Sequence, residues 1–183
     1  MDGVLAHFDA MRPNDKDLNH PSEELSAEKR AAKKLFWQEI EKQSNFWHDI
    51  PLMANIEQLL SVAKSMGEIF VLSKTPGANK FVGGEKYVAF VASEKRKWIA
   101  EHLNRFFDAK HVIICDGAKG ALIHPRKMDI LVDDRLENID EWVSHGGRGV
   151  LFTNAIDTTS RLNLLKDNAI SQQVIRKAQN RGK

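Results

Sequence analysis

The chain alternates between short apolar runs and longer segments with apolar residues at helical spacing. The short runs are bounded by Gly, Ser or Asp and predict four strands, at residues 69–72, 112–115, 130–132 and 149–152. The segments between them predict helices around residues 54–64, 93–106 and 138–143. Strands separated by helices favour right-handed crossovers. We therefore predict an α/β fold, a Rossmann-like parallel sheet with helices on both faces.

The first fifty residues follow a different pattern. Residues 11–20 are rich in Pro, Asn and Asp and predict a loop, after which Ser22 is expected to cap a mostly polar helix that runs to about Lys42. Apolar residues gather only near the end of this helix and just beyond it. Gly67 is expected to end the helix that follows, and a basic helical tail ends the chain.

Composition narrows the class of protein. With 183 residues, 42% of them hydrophobic and 28% charged, the chain is long enough for one sizeable core with a small insertion. The balance of 27 basic and 25 acidic residues gives a net charge of +2, which argues against a nucleic-acid polymer as partner. Cys115 is the single cysteine and suits a reducing compartment. With no apolar run near the roughly 20 residues that span a bilayer, we expect a cytoplasmic protein that does not bind membranes.

Polar side chains follow three of the predicted strands. Ser73 comes directly after the first, Lys119 follows the second after a short loop, and Asp133 and Asp134 follow the third. Parallel strands bring their carboxyl ends to one edge of the sheet. Mg2+ prefers oxygen ligands, and two adjacent carboxylates without a cation would repel each other. The pattern predicts a Mg2+ site for phosphoryl transfer, in which the lysine and the hydroxyl bind phosphate oxygens.

An acidic residue at the start of the chain is expected to share this site. Asp2 is followed by Gly3 and then by apolar residues, a pattern typical of a tight turn that leaves a strand. We expect Asp2 to form one carboxylate cluster with Asp133 and Asp134.

These segments resemble the haloacid-dehalogenase superfamily of phosphatases, and within it the 5'(3')-deoxyribonucleotidase-like group. Residues 1–6, Met-Asp-Gly-Val-Leu-Ala, match its first motif, Asp-x-Asp-Gly-Val-Leu-Ala, except for the leading Asp. Ser73 matches the second motif and Lys119 the third, with Lys127 as a rival because residues 119–133 are long for the family. Residues 129–135, Asp-Ile-Leu-Val-Asp-Asp-Arg, match the fourth motif, which is the most specific.

The resemblance implies a domain organisation and a substrate. Residues 1–7 and 50–183 would form the α/β core, and residues 8–49 a helical cap. The implied substrate is a nucleoside monophosphate, especially a deoxyribonucleotide, and relatives often form homodimers. The cap aromatics would stack against the base, with Lys74 as a further substrate-binding residue. The implied substrate-binding aromatics are Phe36, Trp37, Phe46 and Trp47. Packing in the core is the alternative for these rings, and we expect it for at least two of them.

The resemblance also implies a covalent route through an aspartyl-phosphate. A first Asp would attack phosphorus, Asp2 would act as general acid and then as base, and Asp133 or Asp134 would hold Mg2+. The first Asp would stand directly before Met1, so we expect the 183-residue chain to be an incomplete form of an active phosphatase. The alternative is a catalytically inactive relative that serves as a binding or partner module.

Overall fold

The computed structural model describes residues 1–11, 26–115 and 124–181, with side chains to residue 168. Within these ranges the fold is mixed α/β, as predicted, with five α-helices and four short strands. The helices are α1 (Ala27–Glu41), α2 (Ile56–Met66), α3 (Gly84–His102), α4 (Leu136–Ser144) and α5 (Ala155–Arg181). The strands are β1 (Val71–Lys74), β2 (Val112–Cys115), β3 (Ile130–Asp133) and β4 (Arg148–Leu151). None of the described helices is both long enough and apolar enough to cross a membrane.

The chain divides into two compact units. The first comprises the described residues of Met1–Leu52 and Phe70–Lys119, and the second those of Met53–Ile69 and Gly120–Lys183. Each unit contains one pair of parallel strands, β1 with β2 in the first and β3 with β4 in the second. The predicted parallel pairing is therefore confirmed within each unit, whereas the single Rossmann-like sheet stays a prediction.

Helix α3 supplies one wall of the first unit. Its buried residues are Val91, Lys95, Trp98 and Ile99, which recur at the spacing of one helical face. The indole nitrogen of Trp98 donates a hydrogen bond of 2.8 Å to the carbonyl oxygen of Ile50. This helix begins at Gly84 and not at Ser93, because the positive φ of Gly84 lets the chain turn directly into the helix. Lys95 is consequently a mid-helix residue on the buried face.

Strand β1 also differs from its prediction. It covers Val71–Lys74 instead of residues 69–72, so Ser73 lies inside the strand. Val71 and Ser73 alternate with less buried neighbours and face the interior. A hydroxyl is tolerated at this buried position because it has a hydrogen-bond partner from α3.

Each of the two helices before β1 has a recognisable residue at one of its ends. Ser26 caps α1, its hydroxyl accepting a hydrogen bond from the backbone nitrogen of Lys29 at 3.3 Å. The expected cap Ser22 lies outside the described residues. Helix α2 ends at Gly67 as predicted and buries Ile56 and Leu59.

The second unit packs α4 tightly against its strand pair. A Cβ atom added at Gly147 would lie 2.6 Å from Cδ1 of Trp142 and 2.9 Å from Cβ of Pro125. Only glycine therefore fits at this position, directly before β4, where the backbone passes Trp142 of α4. The buried side chains of this unit include Leu131, Ile139, Trp142, Val150, Phe152 and Leu162.

Candidate functional site

Asp2 lies in a tight turn at the start of the chain. The carbonyl oxygen of Met1 accepts hydrogen bonds from the backbone nitrogens of Leu5 at 2.8 Å and Ala6 at 3.1 Å. Gly3 adopts a φ of +77°, which a residue with a side chain rarely adopts. The Asp-Gly pair therefore makes the turn that the sequence predicted.

Two side chains and one backbone carbonyl group of the first unit meet around the buried ammonium group of Lys95. Nζ of Lys95 donates hydrogen bonds to a carboxylate oxygen of Asp2, to the hydroxyl of Ser73 at 3.2 Å and to the carbonyl oxygen of Lys74 at 2.7 Å. A protonated lysine has three N–H donors, so these acceptors use all of them. We call this group the Asp2–Ser73–Lys95 cluster.

The burial of this cluster sets its electrostatics. The side chain of Lys95 is 0% exposed and that of Asp2 is 29% exposed. A buried charge needs an opposite charge close by, because moving an ion out of water costs on the order of several kcal/mol. Oδ1 of Asp2 is buried and has no hydrogen-bond partner among the described residues. A buried carboxylate oxygen without a donor marks a position at which a proton, a hydroxyl group or a cation would be stabilised.

The sequence prediction missed Lys95. The one available signal is a lysine within the apolar stripe of α3, between Val91 and Trp98. Such a lysine is stable there only with an acid nearby, and no local pattern points to Asp2. Of the lysines that were predicted, Lys119 lies outside the described residues and Lys127 is exposed.

Lys74 has a position beside this cluster. It is the last residue of β1, its side chain is half-buried, and its backbone carbonyl oxygen is one of the three acceptors of the Lys95 ammonium. A direct role of the Lys74 side chain with substrate stays a prediction.

Four rings of the first unit form an aromatic cluster: Phe8, Trp37, Phe46 and Trp47. The Trp37 and Trp47 rings are stacked, with centroids 6.5 Å apart and an interplanar angle of 9°. Phe46 meets Trp47 edge-on at 5.3 Å, and Phe8 lies 6.0 Å from Trp47. Phe46 is 3% exposed and Trp47 is 1% exposed. These two rings pack in the core, and neither presents a face to a base in this conformation.

The other two predicted aromatics are half-buried. Phe36 packs edge-on against Trp37, with ring centroids 5.3 Å apart. The indole nitrogen of Trp37 is buried and has no hydrogen-bond partner among the described residues. Base stacking therefore remains a prediction for Phe36 and Trp37.

A hydrogen-bonded chain holds Trp47 in place. Its indole nitrogen donates to the hydroxyl of Tyr87 at 3.4 Å, and that hydroxyl donates to the carbonyl oxygen of Ile40 at 3.4 Å. Burial raises the pKa of Tyr87, and this effect outweighs the opposing hydrogen bond from Trp47. The hydroxyl thus stays protonated and links α3 to the end of α1.

The carboxylate of Glu41 makes a second link between α1 and α3. Its two oxygens accept hydrogen bonds of 2.7 Å from the backbone nitrogens of Val82 and Gly83. These donors precede the first turn of α3, where a negative charge is stabilised. Gly83 is required here, since an added Cβ would lie 2.9 Å from a Glu41 oxygen.

The predicted metal ligands lie in the second unit. Asp133 is the last residue of β3 and is buried, while Asp134 is exposed. Oδ1 of Asp133 accepts hydrogen bonds from the backbone nitrogen of Arg135 at 3.0 Å and the side-chain amide of Asn138 at 2.8 Å. These bonds fix the orientation of the Asp133 carboxylate at the carboxyl end of the strand. Arg135 and Asn138 are residues whose supporting role the sequence prediction did not assign.

The second unit contains two adjacent carboxylates of the type that Mg2+ prefers, Asp133 and Asp134. Among the described residues, no group of three or more His, Cys, Asp or Glu side chains is placed to hold a metal ion. Mg2+ requires fewer, because it commonly binds through one or two carboxylates and retains several waters. Asp133 and Asp134 supply such a pair, whereas the charge of Asp2 is already balanced by Lys95.

No protein-family model matches the chain, and no curated protein is significantly similar to it.

Proposed function

We propose that this protein is a Mg2+-dependent phosphomonoesterase that removes the phosphate from nucleoside monophosphates in the cytoplasm, with deoxyribonucleotides as the preferred substrates. One observation carries the proposal most directly. A buried ammonium, a hydroxyl and a carboxylate with one unpartnered oxygen meet in the Asp2–Ser73–Lys95 cluster. Each of these groups has a role in binding or cleaving a phosphate ester.

Lys95 and Ser73 form the phosphate-binding part of the proposed site. The ammonium supplies a positive charge at a water-excluded position, where it is worth more than at the surface. The Ser73 hydroxyl accepts from Lys95 and keeps its own proton for donation to a phosphate oxygen. Of the three bonds that Lys95 makes, the one to Ser73 has a length of 3.2 Å, so a phosphate oxygen would displace this acceptor more readily than the carbonyl of Lys74.

Asp2 is the proposed acid and base. One of its oxygens is bound by Lys95, which fixes the carboxylate. The other is buried without a partner and is the atom that would exchange a proton with the leaving alcohol and then with water.

Asp133 and Asp134 are the residues that would hold Mg2+. Mg2+ in phosphatases neutralises charge on phosphate oxygens. Asn138 keeps the Asp133 carboxylate oriented for this purpose. Phe36 and Trp37 are the rings that we propose for contact with the base, because both are partly exposed.

Phosphate release from deoxyribonucleoside monophosphates, measured with and without Mg2+, tests this function. The assay compares the 183-residue chain with a chain that carries an added N-terminal apolar strand sequence ending in Asp, the residue type that the resemblance implies as nucleophile. We expect the extended chain to release phosphate only with Mg2+. Asp134→Asn should lower Mg2+ affinity and turnover together, while the exposed α4 variant Asp140→Asn should change neither.

Two results would overturn the proposal in different ways. An extended chain that binds nucleotides and does not hydrolyse them would favour a binding module. An extended chain that neither binds nor hydrolyses nucleoside monophosphates would remove the basis for both functions. In the extended chain, equal activity with and without Asp134→Asn at limiting Mg2+ would contradict the ligand role of Asp134.

A further inference from the structure

We propose that Trp47 is a positioning residue that holds the Lys95 ammonium at the phosphate-binding site, rather than a residue that stacks on a base. Nζ of Lys95 lies 5.3 Å from the centroid of the Trp47 ring. A cation within about 6 Å of an indole face is attracted to it, and the attraction is strongest when both groups are desolvated. Lys95 and Trp47 are both buried almost completely. The proposal rests on the phosphate-binding function argued above.

The Trp47 ring is held from several sides. It stacks on Trp37, meets Phe46 edge-on and donates a hydrogen bond to Tyr87. Tyr87 and Lys95 both belong to α3, so the same helix carries the ammonium and one of the groups that fix the ring. A rotation of the indole would break these contacts together. The ring is therefore a fixed surface against which the flexible lysine side chain is placed.

The ring also supplies an attraction that requires none of the hydrogen-bond donors of Lys95. All three N–H groups of the ammonium are bound by Asp2, Ser73 and Lys74. A phosphate that binds must replace one of these acceptors, and during that exchange the ammonium has fewer bonds to hold it. The attraction to Trp47 does not depend on an N–H donor, so it persists while the hydrogen bonds change.

The test combines phosphate binding with a direct signal from the ammonium. Wild type, Trp47→Phe, Trp47→Leu and the control Phe8→Leu are compared as full chains. Phe8 is buried and lies 6.0 Å from Trp47, so it reports the effect of disturbing the aromatic cluster. Among the described residues, the ammonium of Lys95 lies over the ring of Trp47 and over no second ring. Binding of inorganic phosphate is measured by calorimetry, and the Nζ–H signals of Lys95 are recorded by NMR.

We expect the Lys95 Nζ–H signals of the wild type to be shifted upfield by the indole ring, and this shift to vanish in Trp47→Leu. Phosphate binding should weaken about tenfold in Trp47→Leu and less in Trp47→Phe, which keeps an aromatic face. In Phe8→Leu the affinity should change less than twofold. The conservative variant Trp47→Phe keeps the test valid if Trp47→Leu does not fold.

Equal losses of affinity in the Trp47 variants and in Phe8→Leu would overturn the proposal, as would Nζ–H signals that do not move in either Trp47 variant. A wild-type chain that shows the upfield shift and binds no phosphate would overturn the proposed function instead, and with it any role of Trp47 in phosphate binding.

Discussion

Replacing Lys95 by methionine should destabilise the protein, because it leaves a charged partner without its counterion. The Asp2 carboxylate would lose its only bonded donor among the described residues, and Ser73 and Lys74 would each lose a donor. Removing one partner of a fully buried ion pair costs about 3–5 kcal/mol. Asp2 keeps 29% of its side chain exposed, so water can replace part of the lost interaction. We expect a loss of about 2–4 kcal/mol in the free energy of unfolding.

The opposite change should cost more. Asp2→Ala leaves the completely buried ammonium of Lys95 with only uncharged acceptors, so we expect a loss of about 3–5 kcal/mol. The double variant should cost less than the sum of the single variants by about 1–3 kcal/mol, since the two side chains interact directly.

Urea unfolding followed by tryptophan fluorescence and by circular dichroism measures these free energies. Lys97→Met is the matched control, because Lys97 lies on the same helix with 70% of its side chain exposed in a pair with Glu94. A pair spaced three residues apart on one helix, with its lysine exposed, contributes no more than about 1 kcal/mol. Single-variant losses that add within about 0.5 kcal/mol would refute the reasoning, because additivity is the behaviour of residues that do not interact.

Two further predictions concern other parts of the chain. Gly147→Ala should lower the free energy of unfolding by about 1–3 kcal/mol, because the added Cβ would clash with Trp142. Gly67→Ala should change the free energy of unfolding by no more than about 0.5–1 kcal/mol, because its Cβ would enter open space. Equal urea midpoints of the two variants would contradict this difference. The hydrogen bond with Asp49 raises the pKa of His48 in the folded protein. The contribution of this bond to stability is therefore complete below the ordinary pKa of His48, near 6.5, and is lost as the pH rises through the pKa of His48 in the folded protein. An NMR titration that gives His48 a pKa below its ordinary value would contradict the prediction, and His48→Gln should remove this pH dependence.

Short apolar runs were sufficient to predict the four strands, because a strand can be identified from a few consecutive residues. The run 112–115 is the strand β2 with the same bounds, and Gly67 ends α2 as predicted. In contrast, Ser73 lies inside β1, where it pairs with Ile114 and its hydroxyl accepts a hydrogen bond from Lys95, 22 residues further along the chain. A pattern of neighbouring residues carries no information about such a partner.

The same limit applies to the candidate site. Asp2 and Ser73 could be predicted from local motifs, but Lys95 could not, because its burial depends on Asp2. The aromatic dipeptide Phe46-Trp47 is equally compatible with a base-binding surface and with a hydrophobic core. The two rings are buried by contacts with residues outside that segment, among them Phe8 and Trp37.

Calorimetric titration of inorganic phosphate into the full chain, with Mg2+ present, tests the central claim most directly. The claim is that the buried Lys95 ammonium, with Ser73 and Asp2, binds a phosphate group. We predict saturable binding to the wild type, binding weakened at least about tenfold in Lys95→Met through loss of a charge-assisted hydrogen bond, and unchanged binding in Lys97→Met. If a folded Lys95→Met variant binds phosphate as tightly as the wild type, the Asp2–Ser73–Lys95 cluster is not a phosphate site.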